Sequence, residues 1–442
     1  MTPAARIQTA IELLEAVESQ SRPADRVVAS GLRARRYAGA KDRRAIRDRV
    51  FATLRARARL DWLIERHGGA PAPRARVIAA LVADGQGPED LAALFDGTPY
   101  GPAPLDEEET RLAAALADNK VNGRDTAEMP RWVRGNYPAW LEEELIRAFG
   151  ADLDAEMAGL DTEAPLDLRV NEAKARRDEV LAAFRSFGFE TAPTLYSPLG
   201  LRLTGRPRVT DHPLYRDGTV EIQDEGAQLA ALLVDAAGAA GAASVECVVD
   251  YCAGGGGKTL ALAARMAGRG RLIACDISAR RLDAMTPRRA RAGADAIEIQ
   301  VVAENGDPWV AAQAGLADRV LVDLPCSGTG RWRRDPDARW TLTPDALAGF
   351  VDQQRAITAQ AASLVKPGGR LITATCSVLP SENQDQAAWF TAQHPAFRPV
   401  PVAEVWRDVL GGEMPGADPC LQLTPHRHGM DAFFIAIFER TA

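Results

Sequence analysis

Short apolar runs alternate with amphipathic helical stretches in the second half of the chain, and this alternation constrains the fold more than any other feature. The runs are VECVVDYC, RLIACD, AIEIQVV, DRVLVDLP and GRLITATCS, with DAFFIAIFER closing the series. They lack regular polar alternation, which is typical of parallel strands covered by helices on both faces. We therefore predict a doubly wound, mostly parallel α/β sheet of the Rossmann-like type over residues 219–442. Ligands of such sheets bind beyond the carboxyl ends of the strands.

Two further domains are predicted before this sheet. Residues 1–128 repeat apolar positions at three- and four-residue steps, as in IQTAIELLEAV, and predict an all-α domain. In residues 129–218, helices give way to PLDLRVN as a strand, DEVLAAFRSFGF as a helix and LYSPLGLRLTG as a strand pair. This middle region is therefore predicted as a helical and α+β extension. A helix over EIQDEGAQLAALLVDAAG is expected to open the third domain.

Composition excludes several classes of protein. The net charge of −7 argues against a protein that coats DNA, and no stretch approaches the roughly 18 apolar residues of a membrane span. The six cysteines form no C-x-x-C pair, and Cys420 with His426 and His428 lacks a fourth ligand, so no metal is expected. We expect a monomer without membrane contact, in the reducing cytoplasm, where free thiols persist.

A basic run between Arg33 and Arg59 is interrupted by acidic residues only at Asp42 and Asp48. Such a run is either a solvated helix face or a surface that contacts phosphates. The second interpretation predicts RNA contacts by Arg35, Arg36, Arg43 and Arg44.

The segment VVDYCAGGGGKTLALAA predicts a strand, a glycine turn and a helix that together hold a ligand. A phosphate-binding loop requires glycine where Cys252 stands, and a dinucleotide fingerprint requires it where Thr259 stands, so a nucleoside without phosphates remains. Asp276, which ends RLIACD, is placed either to accept hydrogen bonds from ribose hydroxyls or to cap the next helix. After the third strand, Asp307 or Asn305 either binds an adenine amino group or forms a turn.

Two cysteines follow two neighbouring predicted strands, Cys326 in VLVDLPCSGTG and Cys376 in LITATCSVLPSEN. A lone cysteine at a strand end is usually a core residue, but two of them beside Asp323 favour chemistry. Methylation of cytosine at carbon 5 needs such a set, since a thiolate adds to carbon 6 and activates carbon 5, while a carboxyl group stabilises the adduct at nitrogen 3. Chemistry alone leaves open which cysteine attacks, because Pro325-Cys326 resembles the nucleophile dipeptide of DNA cytosine-5 methyltransferases.

The motifs DYCAGGGGKT, ACDIS, DLPCSGTGRWRRDPDARW, KPGGRLITATCSVLPSEN and HGMDAFF resemble the RsmB/Fmu (Sun) branch of the RNA cytosine-5 methyltransferases, across residues 219–442. The resemblance implies a class I methyltransferase fold and S-adenosylmethionine as methyl donor. It also implies Cys376 as nucleophile, Cys326 as the thiol that assists product release, and Asp323 and Lys258 as their catalytic partners.

This chain departs from the family at Gly254-Gly255, where Ala-Pro is usual, and at Leu324, where Ala is usual. The glycine pair predicts a looser turn, and neither departure removes a reacting group. The residues expected at the cofactor site are Cys252, Ala253, Gly254, Gly255, Gly256, Gly257, Lys258, Asp276, Asp307 and Asp323.

The segment ADRVVASGLRARRYAGAKDRRAIRDRVFATLR resembles the NusB-like, RNA-binding domain of this branch, and PLDLRVN resembles its substrate-binding extension. This resemblance implies 16S ribosomal RNA as the substrate rather than transfer RNA, which stays an alternative. Arginines interleaved with Trp332 and Trp340 predict contacts to a flipped-out base and its phosphates, although Trp340 in a core with exposed arginines around it is the alternative. These arginines are Arg331, Arg333, Arg334 and Arg339.

Three rival functions differ in what they require. A zinc-dependent base deaminase needs P-C-x-x-C, but Thr329 stands where its second cysteine belongs. A non-catalytic RNA-binding protein with a relict methyltransferase fold does not explain the intact Asp276, Asp323, Cys326 and Cys376. A DNA methyltransferase differs in that its substrate lacks ribose.

Overall fold

The computed structural model of the protein describes residues 1–20, 22–122, 128–205, 207–236, 238, 247–417 and 419–441. The chain forms two compact units, Met1–Thr162 with Trp332–Leu342, and Glu163–Arg331 with Thr343–Ala442. The sequence predicts boundaries at residues 128 and 218 instead. The difference arises because the helices after residue 128 pack with earlier ones, as Met129 and Val133 do against Ala58.

The first unit is helical throughout its described part, in agreement with the sequence pattern. Its apolar positions, such as Leu13, Ile46 and Ile78, form one buried core. Its α-helices are Pro3–Ser19, Ala24–Ala34, Ala40–Arg55, Arg57–Arg66, Pro73–Ala83, Pro88–Leu94, Glu107–Asn122, Arg131–Arg134, Glu142–Phe149, Leu153–Leu160 and Ala338–Thr341, with 3-10 turns at Ala139–Leu141 and Gly150–Asp152.

The second unit begins with an antiparallel sheet that has the order β2-β3-β1-β4 in the described residues. Its strands are β1 (Leu166–Val170), β2 (Thr191–Pro193), β3 (Gly200–Leu203) and β4 (Val220–Ile222). The helix Arg177–Ser186 buries Val180 and Phe184 in the core of this sheet. The helix predicted from Glu221 is wrong in its first residues, because β4 pairs with β1 and the helix begins only at Glu225.

A larger sheet follows, with the order β10-β12-β9-β8-β5-β6-β7 among the described strands and β11 paired to β12. Its strands are β5 (Cys247–Asp250), β6 (Arg271–Asp276), β7 (Glu298–Val301), β8 (Ala317–Asp323), β9 (Val365–Thr375), β10 (Phe397–Val400), β11 (Leu421–Leu423) and β12 (Phe433–Arg440). The five neighbouring strands β9, β8, β5, β6 and β7 pair in parallel, and β12 pairs antiparallel with β9. This confirms the predicted mostly parallel sheet. The start of the predicted strand VECVVDYC, at Val245 and Glu246, lies outside the described residues.

Apolar side chains cover both faces of this sheet. Successive residues of one strand point to opposite faces, so they belong to different apolar cores. Val248 and Leu321 belong to one core, while Val249 and Val320 belong to the other. The α-helices of the second unit are Pro213–Arg216, Glu225–Leu232, Gly257–Met266, Ala279–Asp283, Thr286–Ala292, Pro308–Ala312, Pro344–Ser363, Gln384–Gln393, Val402–Val409 and Pro425–His428, with 3-10 turns at Val209–Asp211, Thr329–Arg331 and Pro380–Glu382.

The strand order reverses at β5, whose neighbours are β6 on one side and β8 on the other. From β5 the chain continues to β6 and β7 on one side of the sheet and then returns to β8 on the other side. A crevice opens beyond the carboxyl ends of these strands, where the order reverses. In the described part of the chain, no helix combines the length and apolar character needed to cross a bilayer.

Candidate active site

A cavity of about 800 Å³ lies beyond the carboxyl ends of β5, β6, β8 and β9. This volume is in the range of sites for small organic ligands. The residues expected from the sequence that line it are Cys252, Ala253, Gly254, Gly255, Gly257, Lys258, Asp276, Asp323, Cys326 and Cys376. The same cavity therefore holds the glycine loop and both cysteines.

The glycine loop turns sharply from β5 into the helix Gly257–Met266. Gly254 and Gly256 have positive φ angles of 53° and 80°, a region that costs non-glycine residues energy. A Cβ atom on Gly256 would lie 2.3 Å from Cγ of Met285, so Met285 occupies the space that a side chain would need. The loop conformation thus depends on glycine at this position.

Asp276 joins the glycine loop to the end of β6. Its Oδ2 accepts a hydrogen bond from Gly254 N at 2.9 Å, and its Oδ1 accepts one from Ser278 N at 2.8 Å. A carboxylate oxygen has two lone pairs, so each oxygen keeps acceptor capacity towards the cavity. The next helix is capped by Ser278, whose Oγ accepts a hydrogen bond from Arg281 N at 3.4 Å, so the capping role considered for Asp276 is wrong and its contact with ribose hydroxyls stays a prediction.

Asp307, by contrast, is engaged in a turn. Its carboxylate accepts hydrogen bonds from the backbone N–H groups of Ala303 at 2.6 Å, Trp309 at 2.8 Å and Val310 at 3.1 Å, and these hold its pKa below the ordinary value. Neither Asp307 nor Asn305 is among the residues that line the cavity. The turn interpretation fits Asp307, and the cofactor contact expected of it does not.

The two cysteines lie side by side, with 3.4 Å between the Sγ atoms of Cys326 and Cys376. A hydrogen bond from Cys326 is the largest cause that lowers the pKa of Cys376, and the charges of Arg331 and Lys258 lower it further, against burial and the charge of Asp323. The pKa of Cys326 is raised, first by the same hydrogen bond and then by burial. The positive charges of Arg331 and Lys258 thus favour the ionised form of Cys376 over that of Cys326.

Lys258 and Asp323 form an ion pair, with 2.6 Å between Nζ and Oδ2. The ammonium also lies 5.1 Å from the centre of the Phe433 ring, close enough for a cation–π contact. The side chain of Lys258 is 10% exposed, while that of Asp323 is 36% exposed. The lysine thus holds a carboxylate that stays open to the cavity beside the thiols.

Sequence reasoning missed Asp250, which ends β5 and lines the cavity. Its Oδ2 accepts a hydrogen bond from Thr259 Oγ1 at 2.6 Å, but its buried Oδ1 has no hydrogen-bond partner among the described residues. Burial is the main cause that raises the pKa of Asp250 to about 7. The sequence feature that points to Asp250 is an acidic residue at the end of the predicted strand that leads into the glycine loop.

Arg339, predicted to contact RNA, is fully buried in the first unit. Its Nη1 donates to Asn136 O at 2.6 Å and to Asp161 Oδ1 at 2.7 Å. The prediction is therefore corrected, because a buried guanidinium that is bonded within the protein cannot reach a phosphate.

The other residues of this basic segment do not share one environment. Arg333 is buried, so the RNA contact predicted for it is corrected for the same reason. Trp332 is fully buried and Trp340 packs against an apolar cluster of the first unit, so the core interpretation fits Trp340. Arg331 is exposed and Arg334 is half-buried, and RNA contacts by these two stay a prediction.

The basic run of the first unit is likewise divided. Arg35 Nη2 donates to Glu12 Oε2 at 2.6 Å, and Arg43 Nε donates to Ala38 O at 2.8 Å, so both side chains stabilise the helices. Arg36 and Arg44 are exposed. The RNA contacts predicted for these two stay a prediction.

Among the described residues, no cluster of three or more His, Cys, Asp or Glu side chains could hold a metal ion. His428, weighed as a ligand, accepts a hydrogen bond at Nδ1 from Thr424 N at 2.9 Å.

Family models match two parts of the chain. The model of the 16S rRNA methyltransferase RsmB/F family matches residues 242–439, and that of the ferredoxin-like domain of RsmF/B-like methyltransferases matches residues 137–210.

Among curated relatives, a probable ribosomal RNA small subunit methyltransferase B of Synechocystis is 29% identical, with 90% of this chain and 91% of the relative aligned. The ribosomal RNA small subunit methyltransferase B of Vibrio vulnificus is 30% identical, with 69% of this chain and 67% of the relative aligned.

Among solved structures, the superposition with the protein PH0851 covers 100% of this chain and 99% of the PH0851 chain, with a TM-score of 0.75 at 23% identity. A methyltransferase homolog from Pyrococcus horikoshii covers 70% of this chain and 97% of its own, with a TM-score of 0.59 at 22% identity. These likenesses show that the fold is shared. The family models and the curated relatives show that the chain belongs to the RsmB/F family of ribosomal RNA methyltransferases.

Proposed function

We propose that this methyltransferase transfers a methyl group from S-adenosylmethionine to carbon 5 of a cytosine in 16S ribosomal RNA. In this proposal, Cys376 bonds transiently to carbon 6 of the base. The observation that carries it is the pair of thiols 3.4 Å apart in the cavity that also contains the glycine loop.

The donor set of the cavity suits S-adenosylmethionine. Asp276 offers carboxylate oxygens to the ribose hydroxyls, and the loop at residues 254–257 lets a ligand approach the backbone closely. The buried Oδ1 of Asp250 is an acceptor without a partner among the described residues, and suits a ligand ammonium group. When bound, the donor supplies an electrophilic methyl group on a sulfonium.

The residues of the chain supply the other steps. The Cys376 thiolate adds to carbon 6, and the electron pair moved to carbon 5 forms the new bond to the methyl group as the bond between that methyl group and the donor sulfur breaks. The Lys258 ammonium, 2.6 Å from Asp323, supplies the proton that Asp323 passes to ring nitrogen 3, which neutralises the negative charge that develops on the base. Cys326, once its own proton has passed to solvent, accepts the proton from carbon 5, and the sulfur of Cys376 leaves with its bonding electron pair as carbon 5 and carbon 6 regain their double bond.

Support for 16S ribosomal RNA comes from the curated relatives, which are named small subunit methyltransferases. The helical first unit, with Arg36 and Arg44 exposed, is consistent with the NusB-like RNA-binding domain suggested by the sequence.

Replacing each thiol tests the proposal. Cys376→Ala is expected to abolish both methyl transfer and the covalent adduct, while Cys326→Ala is expected to accumulate an enzyme–RNA adduct that survives a denaturing gel. The assay uses radiolabelled S-adenosylmethionine with 16S and transfer RNA transcripts, followed by mapping of 5-methylcytosine.

Cys420→Ala is the matched control, because it removes a partly exposed thiol that does not line the cavity. It should behave as the unmodified protein does. An adduct formed by Cys376→Ala would reverse the roles of the two thiols, and methylation of transfer RNA alone would refute the proposed substrate.

A further inference from the structure

Glu221 is a buried carboxylate that holds two arginines of one helix, with 3% of its side chain exposed. Its Oε2 accepts hydrogen bonds from Arg288 Nε at 3.2 Å and Nη2 at 3.0 Å, and its Oε1 accepts one from Arg291 Nη2. Glu221 is the middle residue of β4, whereas both arginines belong to the helix Thr286–Ala292 between β6 and β7. The carboxylate therefore ties the antiparallel sheet to a helix of the larger sheet.

The two arginines differ in what else they contact. Arg288 Nη1 donates a hydrogen bond to Gly255 O in the glycine loop, and Arg288 lines the cavity. Arg291 instead packs over the ring of Tyr215, with 4.4 Å from its Cζ to the ring centre, and is not among the residues that line the cavity. Glu221 does not line the cavity either, so its influence on a ligand there is transmitted by other residues.

The peptide group between Gly255 and Gly256 is held at both ends. Its carbonyl accepts the hydrogen bond from Arg288, and its N–H, on Gly256, donates to Ala253 O at 2.9 Å. Because a peptide group is planar, these two bonds fix its orientation, although the glycines on either side leave the backbone free to rotate. Arg288 therefore restrains a segment that has little stiffness of its own.

A second guanidinium from the antiparallel sheet reaches the same loop. Arg169, on β1, donates from Nη1 to Gly257 O at 2.7 Å and to Gln223 Oε1. Burial is the main cause that lowers the pKa of Arg169 to about 10; the charge of Glu221 raises this pKa, and that of Arg288 lowers it. Glu221 thus offsets the repulsion between two arginines. Without its charge, Arg288 is the one able to turn towards solvent, because 27% of its side chain is already exposed.

We infer that Glu221 is a positioning residue for the methyl donor, because it directs Arg288 to Gly255 O and so holds the glycine loop in its binding shape. The loop is then ordered before the donor arrives, which reduces the entropy lost on binding. The link to the donor rests on the proposed placement of S-adenosylmethionine in this cavity. The link from Glu221 to the loop does not, since its contacts exist without a ligand.

Glu221→Gln tests the inference, since it removes the charge and keeps the size. Calorimetric titration of the full-length protein with S-adenosylmethionine should give a Kd about tenfold higher, the equivalent of one lost hydrogen bond to a charged group. An unchanged Kd in this variant would overturn the inference.

Arg288→Gln and Arg291→Gln form a matched pair, because each removes one of the two guanidiniums that Glu221 holds. Arg288→Gln should raise the Kd at least as much as Glu221→Gln does, and the double variant should bind no more weakly than Arg288→Gln alone. Arg291→Gln should leave the Kd unchanged. Equal rises in the two arginine variants would contradict the inference, since they would show that loss of the ion pairs, rather than of the bond to Gly255, weakens binding.

Amide hydrogen exchange over residues 253–257, measured by mass spectrometry without donor, tests the loop directly. Exchange should be faster in Glu221→Gln and Arg288→Gln than in Arg291→Gln and the unmodified protein. If Glu221→Gln does not fold, the two arginine variants decide, and unchanged exchange in Arg288→Gln would refute the role assigned to the loop contact.

Asp276→Ala separates this inference from the proposed function. It removes a carboxylate of the cavity that is proposed to bind the ribose, so an unchanged Kd would refute the placement of the donor alone. A raised Kd in Asp276→Ala together with unchanged Kd and exchange in Glu221→Gln would refute the role of Glu221 alone.

Discussion

Gly256 is the position in the cofactor loop where a side chain should cost the most. Its φ angle is 80°, and an added Cβ would lie 2.3 Å from Cγ and 2.7 Å from Sδ of Met285. Met285 is fully buried, so it has no free space into which to move. The left-handed backbone costs about 1–2 kcal/mol for a residue with a Cβ, and overpacking adds about 1–3 kcal/mol. We therefore expect Gly256→Ala to lower the free energy of unfolding by about 2–5 kcal/mol.

Gly255 offers a matched control one residue earlier. It is exposed, its φ is not positive, and an added Cβ would meet its nearest atom, Nη1 of Arg288, at 3.5 Å. This is an ordinary van der Waals distance, so Gly255→Ala should change the stability by less than about 0.5 kcal/mol.

Thermal unfolding and calorimetric titration with S-adenosylmethionine measure both consequences. At about 2–4 °C per kcal/mol for a unit of this size, Gly256→Ala should lower the Tm by about 4–20 °C. It should also weaken donor binding, since the loop no longer turns in the same way, while Gly255→Ala keeps the Tm. Equal Tm values for the two alanine variants would refute the reasoning, because they would show that Met285 does not fill the space beside Gly256.

Two further predictions concern buried charges. Burial raises the pKa of Asp250 from 3.8 to about 7, so the folded protein keeps a proton that the unfolded chain releases; the stability of the unmodified protein relative to Asp250→Asn should therefore fall as the pH rises between these values. Urea unfolding at a series of pH values checks this, and parallel curves for the two proteins would contradict it. Arg339→Ala should destabilise the protein by about 3–5 kcal/mol, because it removes a buried partner of Asp161. Arg331→Ala, at an exposed position, should leave the Tm unchanged and weaken RNA binding. Thermal unfolding with filter binding separates the two, and a stable Arg339→Ala protein with weakened RNA binding would contradict its assignment to the core.

Much of the site could be predicted because parallel strands end at one edge of the sheet. Asp276 ends β6, Asp323 ends β8, and Cys376 directly follows β9. A pattern of apolar runs locates strand ends to within a residue or two, and the strand order then brings those ends together. The convergence of these side chains therefore follows from local patterns and one topological rule.

Other features depend on contacts between distant parts of the chain and leave no local pattern. The sequence around Arg339 predicts an exposed arginine beside tryptophans, yet its partners Asn136 and Asp161 precede it by 203 and 178 residues. The strand Val220–Ile222 falls where the sequence predicts the start of a helix, because only its pairing with β1 makes these three residues a strand. Short elements and buried ion pairs of this kind are decided by tertiary packing rather than by propensity.

The two thiols illustrate what the sequence motifs predict about the site and what only the structure adds. Both cysteines stand after a strand beside the same cavity, so spacing alone treats them as equivalent. The hydrogen bond from Cys326 and the charges of Arg331 and Lys258 lower the pKa of Cys376, whereas the same hydrogen bond and burial raise the pKa of Cys326. In the proposed function, Cys376 is the nucleophile and Cys326, with its Sγ 3.4 Å away, is the partner thiol. The proposed difference in their roles then arises from the environment of the pair, and substitutions around the cysteines should alter it without touching either sulfur.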